Sequence, residues 1–198
     1  MRFVNAIVVG VLLLLPSGLW AQQYRGHAAQ PELDVAVTYS AQRGLTTAGG
    51  SFWAQGGSAE LTATFYHGLG MAAYITGTHA GNIGSGDVGL TLVTATFGPT
   101  YTWILPRRAK SIRQWRLFGE SLVGIVNGVD SVFPDPSGAQ SDAEGMALQL
   151  GGGVDLDLSP HFALRLLQAD WLRTQLPNAT TKVQNNLQIG AGFVLRFQ

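Results

Sequence analysis

Residues 184–198 read QNNLQIGAGFVLRFQ, and Leu187, Ile189, Ala191, Phe193, Leu195 and Phe197 place an apolar side chain at every second position. Asn186, Gln188 and Arg196 stand on the opposite parity, with Gly190 and Gly192 leaving space between them. Successive side chains of a β-strand point to opposite faces, so this spacing predicts a strand with one apolar and one polar surface. The apolar surface must meet either a protein core or hydrocarbon.

The same period of two recurs along the chain. Met146, Leu148, Leu150, Val154, Leu156 and Leu158 alternate with Gln149, Gly151, Gly153, Asp155 and Asp157. Ala59, Leu61, Ala63 and Phe65 alternate with Glu60, Thr62, Thr64 and Tyr66, and Leu33, Val35, Val37 and Tyr39 with Asp34, Ala36, Thr38 and Ser40. Less regular candidates cover 70–78, 88–103, 115–126 and 162–173, for a total of eight strands. The stretches between them alternate in length: 41–57, 79–87, 127–145 and 174–184 are long, whereas 67–69, 104–114 and 159–161 are shorter. Long and short connections in alternation are the pattern of an up-and-down transmembrane barrel. The clean strands run for about 9 to 13 residues, near the ~9–11 a tilted strand needs to cross a bilayer.

Composition points the same way. Charged residues are 12% of the chain and glycines number 26 of 198, against a usual charged share of about 25%. An outer surface in lipid and a packed lumen both need little charge. With no cysteine, an exported chain of this kind depends on burial and closure rather than disulfides. The first residues, MRFVNAIVVGVLLLLPSGLWAQQ, combine Arg2, an apolar run from Ala6 to Leu15 and small residues before Ala21, the order of a secretory signal peptide. Cleavage after Ala21 leaves 11 basic and 12 acidic side chains, a balance with no general attraction for nucleic acid. Tyr39, Phe52, Trp53, Phe65, Tyr101, Trp103, Trp115, Phe162, Trp171 and Phe197 fall near strand ends as candidates for interfacial girdles.

Other motif matches carry little. Gly84, Gly86 and Gly89 fit a dinucleotide-binding spacing, yet they lead into a strand, with no helix N-terminus to hold a pyrophosphate. His27, His67, His79 and His161 are too scattered for a metal site, and no cofactor is expected. His79, with Ser85 and Asp87 following, is the single place where a lipid-modifying activity could be built, on no specific spacing.

The signal-peptide order, the eight alternating strands, GGGVDLDLSPHFALRLLQADW and the ending GAGFVLRF resemble the small outer-membrane β-barrels of the OmpA and OmpX type. The resemblance spans the whole mature chain. It implies an all-β, eight-stranded antiparallel up-and-down transmembrane β-barrel over 32–198, after a signal peptide at 1–21 and a tail at 22–31. It also implies a monomer in the bacterial outer membrane, with membrane lipid and lipopolysaccharide as neighbours. In that family a terminal aromatic helps the barrel-assembly machinery recognise the last strand; here Gln198 follows Phe197 and displaces that signal by one residue.

With the apolar parity in lipid, Asp34, Glu60, Gln149, Asp155, Gln188 and Arg196 point inward, and the resemblance adds Glu120 and Arg165. In FALRLLQADWLR, Arg165 lies on one parity and Gln168 and Asp170 on the other. A lipid-facing Arg at mid-membrane costs ~2–4 kcal/mol, so a β-bulge at Leu166 and Leu167 is expected to turn all three inward, with Ala169 and Trp171 outward. An eight-stranded barrel is just wide enough to be filled by side chains, so a polar plug is expected in place of a pore. Arg107, Arg108, Lys110 and Arg113, followed by Arg116, form a basic periplasmic turn suited to headgroups and to fixing orientation. The resulting expectation is a non-enzymatic barrel with a structural or surface-contact role, the alternatives being a lipid-modifying enzyme or a small pore.

Overall fold

The computed structural model describes residues 32–45, 50–83, 88–106, 113–129, 133–135, 138–176 and 183–197. The expected signal peptide and tail, Arg107, Arg108, Lys110, and Gln198 lie outside the described residues. Ten strands follow in chain order: β1 Glu32–Leu45, β2 Ser51–Tyr66, β3 Leu69–Ile83, β4 Val88–Ile104, β5 Gln114–Val129, β6 Phe133–Asp135, β7 Gly138–Gln140, β8 Ala143–Ser159, β9 Phe162–Thr174 and β10 Gln184–Phe197. The eight long strands close into one barrel in the order β1-β10-β9-β8-β5-β4-β3-β2, and β6 pairs with β7 in a separate small hairpin. Every neighbouring pair is antiparallel, including the closing pair of β1 with β10, which runs from Leu33 opposite Phe197 to Arg43 opposite Leu187. Closure removes both sheet edges, so each central strand finds its backbone partners within the wall.

The strands are longer than the alternation in the sequence suggested. β1 reaches Leu45, β2 begins at Ser51, β3 runs to Ile83 and β8 begins at Ala143, so much of 41–57, 79–87 and 127–145 is strand in place of loop. The outward-facing parity explains the difference. Exposed apolar residues fill it from the turn end upward: Leu33 to Tyr39 on β1, Leu69 to Ile75 on β3, Trp115 to Ile125 on β5 and Phe197 to Leu187 on β10. Above that band each strand carries a polar residue on the same parity, at Arg43, Gln55, His79, Thr91, Asn127, Glu144, Arg173 and Asn185, with Trp53 beyond Gln55 on β2. The ladder continues past the apolar band, and polar outward residues there read in sequence as loop.

The turn end is tight. β2 and β3 are joined by two residues, His67 and Gly68, with φ values of 47° and 86°. Two successive positive φ values give the primed turn that matches strand twist. Gly68 is required there, since a Cβ would fall 2.2 Å from the Thr102 oxygen.

β9 contains an irregularity at the expected place. Leu167 pairs with Val154 and Arg165 with Asp155 on one side, while on the other Gln168 pairs with Gly190 and Arg165 with Gly192. Leu166 is the extra residue, and both it and Leu167 lie on the outer surface at 44% and 51% exposure. Arg165, Gln168 and Asp170 are consequently all buried, with Ala169 and Trp171 outward.

Two expectations about aromatic and basic residues are corrected. Phe52 shares the inward parity of buried Ala54, and its ring covers the position where Gly44 lacks a side chain, so it is not part of an outer girdle. Arg116 belongs to β5 and reaches into the barrel mouth, outside the basic turn. Tyr39, Trp53, Phe65, Tyr101, Trp103, Trp115, Trp171 and Phe197 are exposed outward.

Candidate functional site

The inward parity of each strand supplies the lumen, which changes character along its length. At the turn end the side chains are ionic. Arg116 donates to both oxygens of Glu32 at 2.8 and 2.9 Å and through Nε to Asp157 Oδ2 at 2.9 Å. Arg196 donates to Asp34 at 3.2 Å and Asp155 at 3.5 Å, and also to Asp157 Oδ1. Strand pairing sets up these meetings: Arg196 sits opposite Asp34, and Arg116 sits opposite Asp155, one inward position from the Asp157 it bonds.

One level higher, Arg165 is the hub. Its Nε donates to Asp155 Oδ1 at 3.0 Å, and its Nη1 donates to Glu60 Oε2 and, at 3.1 Å, to Gln168 Oε1. Its guanidinium carbon lies 4.1 Å from the centroid of the Phe118 ring. Asp155 therefore joins Arg165 to Arg196, and the two ionic groups form one network. Such pairs replace lost hydration only when their geometry is complete, and breaking one typically costs ~3–5 kcal/mol.

Above the guanidinium groups the inward-facing described residues are uncharged apart from the carboxyl groups of Glu120 and Asp170. Gln149 and Gln168 both donate to Glu120 Oε1, at 3.3 and 3.2 Å, and Thr96 donates to Gln149 at 3.1 Å. Gln188 donates to the Tyr74 hydroxyl at 2.6 Å, and Thr78 to Gln42 at 3.4 Å. At the loop end Leu92, Val126, Ala143, Ala147, Leu172 and Leu176 pack as an apolar cluster on one side.

Asp34, Glu60, Glu120, Gln149, Asp155, Arg165, Gln168, Asp170, Gln188 and Arg196 thus all stand on the inward side, Asp34 half-buried and the others buried. Arg113 is exposed just before β5. The network also uses Glu32, Arg116, Asp157, Phe118 and Tyr74. Tyr74 shares the parity of Thr76 and Thr78, a signal that an aromatic tied to a polar face is inward. Arg173 lies on the outer face.

The turn-end mouth opens into a cavity of about 480 Å³ bordered by Glu32, Asp34, Arg116, Tyr66, Tyr101 and Trp103. His79 is exposed on the outer surface, its Nδ1 2.9 Å from Thr91 Oγ1, while Ser85 and Asp87 lie outside the described residues. Among the described residues no three His, Cys, Asp or Glu side chains are arranged to hold a metal ion.

A closed eight-stranded wall, apolar outside and filled by hydrogen-bonded side chains inside, defines the class of small barrels built to sit in a membrane. No family model matches the chain, and no curated protein matches it. Solved structures do. Ail, the attachment invasion locus protein of Yersinia pestis, in complex with the heparin analogue sucrose octasulfate, is similar at 19% identity, a TM-score of 0.53, and coverage of 85% of this chain and 100% of that one. Ail alone gives 16% identity and a TM-score of 0.50 over 85% and 100% of the two chains. Neisserial surface protein A gives 17% identity and a TM-score of 0.48 over 87% and 100%. The fold is that of the small eight-stranded outer-membrane β-barrels.

Proposed function

We propose that the protein is an exported, monomeric, non-enzymatic outer-membrane barrel whose filled lumen does not conduct and whose loop end makes structural or surface contacts. The observation that carries this reading is the network through Arg165, Asp155 and Arg196, which ties β2, β8, β9, β10 and β1 together across the lumen. A continuous ion path would have to part those pairs without a replacement for either partner.

The outer surface supports the orientation. With the tight turns in the periplasm, the polar positions above the apolar band fall at the level of the outer-leaflet headgroups. Arg43 and Arg173 there are suited to lipid and lipopolysaccharide phosphates. Arg107, Arg108, Lys110 and Arg113 are then on the periplasmic side, within reach of inner-leaflet headgroups. The signal peptide at 1–21 would direct export, and the barrel-assembly machinery would receive the apolar closing strand ending at Phe197.

The test is the native protein in two assays. Outer-membrane fractionation should recover it in a form that changes gel mobility on boiling, and planar bilayers should show no single-channel current. A detergent-free soluble protein, or steady ohmic steps, would overturn the reading.

A further inference from the structure

The cavity at the turn end touches two different surfaces at once. On its inner side are Glu32, Asp34 and Arg116 of the lumen network, and on its outer side Phe65, Tyr101 and Trp103, whose rings face the membrane. Tyr101 and Trp103 meet edge to face with centroids 4.7 Å apart, which gives the rim an aromatic wall where girdles meet headgroups. At about 480 Å³ the space falls within the ~300–1,000 Å³ of small-ligand sites.

The inner side is short of positive charge. Ion pairs at this end join Glu32, Asp34, Glu60, Asp155 and Asp157 to Arg116, Arg165 and Arg196, five carboxylates to three guanidinium groups. Asp34 gives one oxygen to Arg196, and its other oxygen, Oδ1, is buried with no hydrogen-bond partner among the described residues. Buried polar atoms nearly always have a partner, so this wall of the cavity calls for a donor. An occupant that suits both sides carries a compact N–H cation at one end and an apolar body at the other.

We propose that the turn-end cavity binds the headgroup of phosphatidylethanolamine, its primary ammonium against Asp34 and Glu32 and its acyl chains on the outer wall beside Phe65 and Trp103. The ammonium brings positive charge and N–H donors together, and charge-assisted bonds to carboxylates are the strong ones. A choline headgroup has the charge but no N–H to give, and a glycerol headgroup leaves only the phosphate's negative charge to face the acids. The phosphate lies outside the acids, at the end where Arg113 is exposed. This site specifies the membrane-lipid partner of the proposed function and rests on that reading's placement of the tight turns at the periplasmic leaflet.

The experiment uses the full barrel, purified from the outer membrane into maltoside micelles, where bilayer curvature and lateral pressure play no part. Short-chain phosphatidylethanolamine, phosphatidylcholine or phosphatidylglycerol is added, and the thermal midpoint is read from gel mobility. Phosphatidylethanolamine should raise the midpoint by several degrees and the other two much less, since a ligand bound to the folded state alone stabilises it. Native mass spectrometry should find about one phosphatidylethanolamine retained per chain. Asp34→Asn should remove the preference, and so should Ile104→Trp, which fills the cavity while leaving the ion pairs in place and serves should the first variant fail to fold. Equal effects of the three lipids on the wild type would overturn the proposal. A preference for phosphatidylethanolamine that survives in both variants would also overturn it, placing the lipid elsewhere on the wall. Recovery in the outer-membrane fraction judges the location, and the micelle comparison judges the site, so the two readings fail separately.

Discussion

The central guanidinium carbon of Arg165 lies over the Phe118 ring, 4.1 Å from its centroid. Gly153 of β8 makes room for that ring, since a Cβ there would approach Phe118 Cε1 and Cζ to 2.7 Å. Phe118 thus supports the charge that gathers Glu60, Asp155 and Gln168. Replacing Arg165 with Met leaves buried carboxylates unpaired and should destabilise the barrel by about 3–5 kcal/mol, whereas Phe118→Leu should cost nearer 1–2 kcal/mol. Urea unfolding in lipid vesicles, followed by tryptophan emission, measures both; equal losses would contradict the hub role.

The glycines divide into two kinds. Gly151→Ala places its methyl 1.9 Å from Asp170 Oδ1 and 2.5 Å from the Ala169 oxygen, against atoms that cannot all retreat. Gly77, exposed on β3, has nothing within 4 Å of the same position. Gly151→Ala should therefore reduce the folded fraction strongly, and Gly77→Ala should stay within about 0.5 kcal/mol of wild type. Comparing the heat-modifiable band of the two variants decides the matter.

The upper limit of the apolar band is a second measurable quantity. Val123 faces outward within it and Asn127, two outward positions higher on the same strand, stands in the polar ring. Val123→Arg should cost about 2–4 kcal/mol and Asn127→Arg about 0–1 kcal/mol in phospholipid vesicles. Similar costs at both positions would place the membrane elsewhere on the barrel.

Deletions in β9 separate the bulge from the register. Removing Leu166 joins Arg165 to Leu167, so that Arg165, Gln168 and Asp170 keep their inward side and the ladder becomes continuous. That variant should fold with a loss of about 1 kcal/mol or less. Removing Ala169 instead turns Asp170 to lipid and Trp171 inward, and a one-residue slip of this kind should prevent folding. The yield of heat-modifiable protein distinguishes the two.

Much of this was legible wherever one parity was polar. β1, β2, β8 and β10 alternate plainly, and Asp34, Glu60, Gln149, Asp155, Gln188 and Arg196 followed from spacing alone. The conflict among Arg165, Gln168 and Asp170 was itself the signal for an extra residue, because no regular strand buries all three. Strand ends were hidden for the opposite reason: beyond hydrocarbon, both faces meet water, so Gln55 or His79 on a ladder has the composition of a loop. Leu122, Val126 and Leu172 were equally silent, since an apolar residue is compatible with lipid on one side and with a packed lumen on the other. The outward parity of Leu156 is clear in sequence, but its near-complete burial depends on Trp115 and Leu164 standing beside it on neighbouring strands.

Arg196 on β10 reaches Asp34 on β1, 162 positions away along the chain. Its other partners, Asp155 and Asp157, sit on β8. A contact of that separation cannot form while the ends diffuse independently, and its entropy of closure must be met before it contributes anything. Until the first and last strands zip together, the acids of β1 and β8 wait without this cation. Folding of this barrel is therefore expected to be slow and to end in a single concerted event, with the seam between its first and last strands and the completion of its internal charge occurring as one step.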